Sequence, residues 1–280
     1  MLHRAKKHLG LQNKYVFARA KKALGQNFLK SEEALWQIIE AEEIKPGEII
    51  LEIGPGRGAL TNKLLETRCE VLAIEKDREL YEFLKIKFEK EISSGQLNLV
   101  HGDILEFEIT NYELRNYKVI ANIPYNITGA ILKKFLTGKN QPKGMVLMVQ
   151  REVATRILAK NGKESILSIS VKAYGEPKMI AKVDKRYFSP VPKVNSAIIA
   201  IKNISRKVFE DNKIDETKFW QIVKTGFAHK RKKLSGNLKN VISAEKLERK
   251  QLQDKRAEDL TLEDWIVLAS REETNRPLGE

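Results

Sequence analysis

Glu48-Ile-Ile-Leu-Glu-Ile53 runs directly into Gly54-Pro-Gly56-Arg-Gly58 and then into Ala59-Leu-Thr-Asn-Lys-Leu-Leu-Glu66. This is an apolar run, a glycine turn and a helical pattern in sequence, which reads as strand, tight loop, helix. Glycines at such a junction let the backbone turn sharply and approach a ligand with no Cβ in the way. Glu75, twenty-one residues after Gly54, closes a second short apolar run, Val71-Leu-Ala-Ile-Glu75. A carboxylate at the end of that strand can accept from both hydroxyls of a ribose. The combination of Gly54, Gly56 and Glu75 therefore points to a nucleoside-containing cofactor. With Ala59 in the last place, the loop also satisfies the looser dinucleotide fingerprint, so by itself it does not separate a nicotinamide cofactor from S-adenosylmethionine (SAM).

Outward from this loop, strands and helices alternate. Arg78 to Ile92 carries apolar residues at helical spacing, Leu97 to Val100 reads as a third strand, Tyr117 to Ala121 as a fourth and Gly144 to Gln150 as a fifth. Such alternation implies a parallel sheet covered on both faces, the α/β class. From Ile166 the pattern changes to three strand-like runs, Ile166 to Tyr174, Lys178 to Val183 and Ser196 to Lys202, which would complete the sheet. After the polar stretch Asn203 to Asp215, Glu216 to Ser270 reads as helices only. The expected organisation is a basic N-terminal arm (1–24), an α/β domain (25–205) and a small all-helical domain (206–280).

The 280 residues are 42% hydrophobic and 31% charged, a globular balance that excludes disorder of the chain as a whole. The longest uncharged stretch, Val119 to Leu132, has 14 residues, short of the ~20 apolar residues of a spanning helix. Met1 to Lys30 shows no apolar run followed by a cleavage site, and Cys69 is the only cysteine, so a cytoplasmic protein without a disulfide or metal cluster is expected. The net charge of +14 is concentrated. Met1 to Lys30 holds eight Lys/Arg and no acid, and Thr217 to Asn240 holds seven, again with no acid. Two basic elements flanking a balanced core suggest a polyanion partner, because each phosphate neutralised releases counterions. Lys21 and Lys22 in the arm, Lys193, and Lys230, Arg231 and Lys233 in the second cluster are the candidate contacts to that polyanion.

Two further positions complete the site. Asp103 follows the third strand, on the same sheet edge as the glycine loop, where it can accept from the exocyclic amine of an adenine beside the apolar face of Ile104. Asn122-Ile123-Pro124-Tyr125 follows the fourth. Transfer of a methyl group to N6 of adenine faces an obstacle, since that lone pair is delocalised into the ring. The Asn122 side-chain carbonyl and a neighbouring backbone carbonyl, accepting the two N–H bonds, would localise it. Tyr125 offers a flat face for a base. No general base is needed, because the ammonium-like product is strongly acidic.

These residues resemble the ribosomal RNA adenine N6,N6-dimethyltransferases, of the type that modifies small-subunit (16S) rRNA. Gly25-Gln-Asn-Phe-Leu29 is similar to the family's N-terminal cofactor motif, Glu52 to Thr61 to its glycine loop and Asn122 to Asn126 to its catalytic loop. Met148 to Ala154 and Phe188 to Val194 are similar to two later motifs, so the match spans about Leu24 to Asn240. The resemblance implies a Rossmann-like SAM-dependent fold, with Asn27, Leu29, Gly54, Glu75, Asp103 and Asn122 lining the SAM site. It also implies that Phe188 stacks on the target adenine opposite Tyr125, and that a helical C-terminal domain helps dock rRNA. Partners on this reading are the small-subunit rRNA or its precursor, with no membrane and no metal, and the protein is monomeric. The arm before Gly25 is longer than expected, and Ile123 replaces the commoner Leu. That Ile also occurs in large-subunit rRNA methyltransferases of the macrolide-resistance type, which stand as the alternative target class. A nicotinamide-dependent dehydrogenase would leave Asn122 to Tyr125 and the basic ends without work. A non-catalytic RNA-binding protein on the same fold would not need Asn122, Pro124 and Tyr125 intact.

Overall fold

The computed structural model describes residues 20–109 and 114–270, apart from the side chain of Lys22, so most of the expected basic arm lies outside the described residues. Nine strands occur among the described residues: β1 Phe28–Leu29, β2 Ile49–Ile53, β3 Glu70–Glu75, β4 Leu97–His101, β5 Lys118–Asn122, β6 Gly144–Gln150, β7 Glu176–Val183, β8 Phe188–Ser189 and β9 Ser196–Lys202. Seven of them form one sheet in the order β4-β3-β2-β5-β6-β9-β7. β4, β3, β2, β5 and β6 are parallel, and β9 runs antiparallel to both β6 and β7. A strand inserted antiparallel before the last one departs from the dinucleotide-binding order, in which the last strands follow one another in parallel.

The central strands are covered on both faces, which is why they read as unbroken apolar runs rather than alternating ones. Leu51, Val119, Ile120 and Ala121 have no accessible surface, nor do Ala197 to Ile201 of β9. The helices Glu32–Glu40, Ala59–Glu66 and Arg78–Lys87 contribute Leu35, Ile38, Leu64 and Leu84 to this core. Strand order reverses between β2 and β5, and the carboxyl ends of the strands on both sides of that point carry Gly54, Glu75, Asp103 and Asn122. A sheet of this kind opens its ligand crevice at that switch point.

Three local expectations are corrected. Arg78 to Ile92 is not one helix. It breaks at Phe88, whose backbone (φ −111°, ψ 31°) ends Arg78–Lys87 and begins the short helix Glu89–Ser93. Phe88 is buried beneath the glycine loop, and that packing overrides the helical spacing. Ile166 to Tyr174 is not a strand. Ile166–Lys172 is a helix, started by a capping box in which Ser165 Oγ accepts from Ser168 N–H at 3.1 Å and Ser168 Oγ accepts from Ser165 N–H at 2.7 Å. The alternation of aliphatic and serine side chains in Leu167-Ser-Ile-Ser-Val171 mimics a strand, but the cap outweighs it. Finally, the division of the chain is not a single cut. Among the described residues, one compact unit takes those up to Ala154 together with Gly175–Ile204, and the other takes Thr155–Tyr174 together with those from Ser205 to Ser270.

The second unit is helical among its described residues. In the helix Glu216–Gly226, Phe219, Ile222 and Val223 are fully buried, and Phe227 packs half-buried on Trp265 with ring centroids 5.6 Å apart. Tyr174 stacks on Trp220 at 6.1 Å and accepts the Trp220 indole N–H at 2.9 Å. Gly226 is required by this packing, since a Cβ there would lie 2.4 Å from the Trp265 ring.

Candidate active site

At the switch point lies a cavity of about 360 Å³, within the range of small-ligand sites. Its wall is built from the segment Ala23–Lys30, the glycine loop, Glu75, Asp103 and Ile104, and Asn122–Ile127. Gly54 has φ +64°, and a Cβ there would have nothing within 4 Å, so its missing side chain leaves open cavity at the loop. Gly58, at φ +72°, meets the opposite constraint. A Cβ there would lie 2.5 Å from the Phe88 ring, so this glycine lets the following helix pack closely.

Glu75 is buried, with Oε2 accepting from Gly56 N–H at 2.9 Å and Oε1 from Asp77 N–H at 2.8 Å. Burial pushes its carboxyl up and the backbone N–H groups oppose the shift. Glu52, one strand over, is 1% exposed and its pKa is pushed up to about 8, chiefly by burial, with the Glu75 charge adding to the shift. Asp103 Oδ2 pairs with Lys76 Nζ at 2.6 Å while Oδ1 accepts from Leu105 N–H at 3.0 Å. Burial acts against its charge, but these bonds outweigh it and hold its carboxyl below the usual range.

The loop after β5 is held from two sides. Asn122 donates its side-chain N–H to the Asn27 carbonyl at 3.3 Å, and Asn27 donates its own side-chain N–H to the Gly25 carbonyl at 3.1 Å. The Asn122 amide is thereby oriented, and Oδ1 is its acceptor for a ligand. Ile123 has its side chain in the core, so what it can offer a ligand is its backbone carbonyl. Pro124 leads into the single turn Tyr125–Ile127. The Tyr125 hydroxyl lies 2.6 Å from Ser196 Oγ, on buried β9, which anchors the ring while leaving it on the cavity wall.

Among the predicted cofactor residues, Asn27, Leu29, Gly54, Gly56, Glu75, Asp103 and Asn122 all line this one cavity, and of the catalytic set so do Ile123, Pro124 and Tyr125. Phe188 does not. It pairs with Leu29 in the β1–β8 ladder, is fully buried in the core, and its neighbour Ser189 takes the place on the cavity wall. Successive side chains on a strand point to opposite faces, so Ser189 facing the cavity puts Phe188 behind it. Lys21 is also corrected. Its ammonium is bound to Asp77 at 2.8 Å and lies 3.4 Å from Glu79, so it is an internal partner rather than an open phosphate contact. Lys22 lies outside the described side chains. Lys193, Lys230, Arg231 and Lys233 are exposed, and Lys233 is paired with Asp254 at 2.7 Å. Asp77 and Ser196, which hold the site from behind, are residues that sequence reasoning misses, and Gln26 is read only as part of its motif. The one signal for Asp77 is its place immediately before a helix, that of an N-cap.

The sequence profile of the ribosomal RNA adenine dimethylase family matches residues 17–272. The chain belongs to that family. It is 37% identical over 260 residues to the ribosomal RNA small subunit methyltransferase A of Dehalococcoides mccartyi (strain CBDB1), covering 89% of this chain and 87% of that protein. A dimethyladenosine transferase from Plasmodium falciparum superposes with a TM-score of 0.74 at 27% identity, covering 86% of this chain and 95% of that one. The 23S rRNA methyltransferase ErmE superposes at 0.70 and 25% identity, covering 86% and 98%. Membership makes the protein an rRNA adenine dimethyltransferase with SAM as its methyl donor, and the nicotinamide reading of the glycine loop is set aside. The residues fit that donor. Gly54 leaves space where a Cβ would intrude, and Glu75 and Asp103 put carboxylate oxygens at two separate points of the same wall. Among the described residues there is no group of three His, Cys, Asp or Glu able to hold a metal, and no helix long and apolar enough to cross a membrane.

Proposed function

We propose that the protein dimethylates N6 of adenines in small-subunit (16S) rRNA, acting on two adjacent adenosines of a 3′-terminal hairpin, as a monomer in the cytoplasm. The observation that carries the chemistry is the orientation of Asn122, whose N–H is committed to the Asn27 carbonyl while Oδ1 is left to accept. An adenine N6 donating one N–H to Oδ1 and the other to the Ile123 carbonyl is drawn toward a pyramidal nitrogen with its lone pair localised. Charge that develops on nitrogen in the transition state is met by two fixed dipoles. When bound, SAM supplies an electrophilic methyl group on a sulfonium. Glu75 serves the ribose hydroxyls and Asp103 the adenine amine of that donor.

Tyr125 provides the stacking face for the target base, which must leave its own stack to reach a recessed site. In this role it acts without Phe188, whose ring is sealed in the core. Lys230 and Arg231, exposed in the turn after the helix Glu216–Gly226, contact the RNA backbone, and Lys193 does so in the other unit. The small-subunit target is favoured over the large-subunit one by the closer sequence agreement with a small-subunit enzyme, 37% against 25% for ErmE. Incubation with labelled SAM and separately purified small- and large-subunit rRNA particles, followed by mapping of modified adenines, tests the proposal. Label confined to the large-subunit RNA overturns the assignment of target.

A further inference from the structure

The segment Ala23–Lys30 forms a wall of the cavity, yet its ladder with β8 is only two residues long on each strand. Its other end is held by a carboxylate. Asp77 is 4% exposed, and its Oδ1 accepts from Lys21 Nζ at 2.8 Å and from Glu79 N–H at 3.0 Å. Oδ2 accepts from Gln26 Nε2 at 2.8 Å, and Gln26 Oε1 accepts from Lys21 N–H at 2.8 Å, closing a ring of bonds. The Asp77 N–H in turn holds Glu75 Oε1 at 2.8 Å. Capping the helix Arg78–Lys87 needs only one acceptor, the one used by Glu79 N–H. The second oxygen and the negative charge serve the N-terminal segment.

We propose that Asp77 is a positioning residue for the cofactor, latching the segment 21–30 over the cavity through Lys21 and Gln26 and so setting how fast SAM enters and leaves. The inference rests on the reading that SAM occupies this cavity. Closure of the segment does two things at once. It completes the wall around the ligand, and it brings the Asn27 carbonyl to the Asn122 amide. Gly25 sits at the crossing, at φ +63°, where a Cβ would lie 3.0 Å from Asn126 Oδ1, so the segment lies directly on the catalytic loop. A ligand that binds only the latched form has an apparent Kd that rises as the latched fraction falls. Lys21 is 40% exposed at its side chain, so the latch is open to screening by salt while the carboxylate end is not.

The test uses the full chain without RNA and follows SAM binding and dissociation by rapid mixing. Asp77→Asn keeps an acceptor for the cap and removes the charge, and Lys21→Gln removes the other end at a partly exposed position that leaves the core untouched. Each is expected to release SAM about tenfold faster, the scale of one charge-assisted hydrogen bond. The double variant should release it no faster than the more affected single variant, because either change alone already breaks the Lys21–Asp77 charge pair. Lys21→Arg should restore retention, and protease cleavage near Lys21 should speed up in the two single variants and slow again on addition of SAM. Lys21→Gln releasing SAM at the wild-type rate, or effects that multiply in the double variant, would overturn the latch. A wild-type chain that fails to bind SAM at all overturns the reading of the cavity instead.

Discussion

Replacing Glu52 by Gln should change the pH dependence of stability in a way the structure specifies. Glu52 lies in the middle of the buried sheet, 1% exposed, with a pKa of about 8 against an ordinary 4.5. Its folded-state pKa is raised, so between pH 4.5 and 8 the folded protein holds a proton that the unfolded chain has released. Stability must therefore fall as pH rises through that window, by about 1.4 kcal/mol per unit. Across the 3.5 units the loss is about 5 kcal/mol, and about 3 kcal/mol of it has accrued by pH 7. The glutamine side chain is close in shape to a protonated glutamate and carries no titration. Urea unfolding of both proteins from pH 4.5 to 9 gives a stability difference in which all other titrating groups cancel. The variant should gain on the wild type steadily up to about pH 8, and above that the difference should stay constant. A difference independent of pH, or one that shrinks as pH rises, would show that Glu52 is ionised in the folded protein at neutral pH and that burial does not control it.

Asn122→Ala should lower methyl transfer at saturating SAM and RNA by ~10²- to 10³-fold, with a far smaller change in SAM affinity measured by titration, because it removes a dipole aimed at charge that develops only in the transition state. Tyr125→Phe should keep much more activity than Tyr125→Ala, since the ring face is retained. It should nevertheless lose about 1 kcal/mol in urea unfolding, because the buried Ser196 hydroxyl loses its 2.6 Å partner. Neutralising Lys230 and Arg231 together should flatten the salt dependence of RNA binding by about one unit per lost contact and leave SAM affinity unchanged, whereas Lys233→Gln should do less because Asp254 already holds that ammonium at 2.7 Å. Gly58→Ala should destabilise the fold by more than about 1 kcal/mol in thermal unfolding, since the position needs φ +72° and its Cβ would press on Phe88.

What can be read from the sequence follows the range of the interaction that decides each feature. Gly54 to Gly58, Glu75 and Asn122 to Tyr125 are legible because strand, loop and side chain are neighbours in the chain, and a parallel sheet delivers every strand's carboxyl end to one edge. Ile166–Lys172 misleads because five residues of alternating aliphatic and hydroxyl side chains carry a strand's period, while the cap that decides for helix is a pair of serines that any turn could use. Phe188 misleads for a different reason. Its neighbour in space is Leu29, across a two-residue ladder that no local pattern announces, and the alternation of that ladder decides which of Phe188 and Ser189 meets the cavity. Lys21 shows the same limit in electrostatics. A lysine in a run of cations reads as open charge until the fold brings a buried carboxylate from 56 residues away to meet it. Lys21 turns inward, bonded to Asp77 beside the segment that walls the cofactor cavity. Of the candidate RNA contacts with described side chains, Lys193, Lys230 and Arg231 are the ones left exposed and proposed to meet the RNA backbone. Losing Lys21 should therefore register in cofactor binding before it registers in RNA binding.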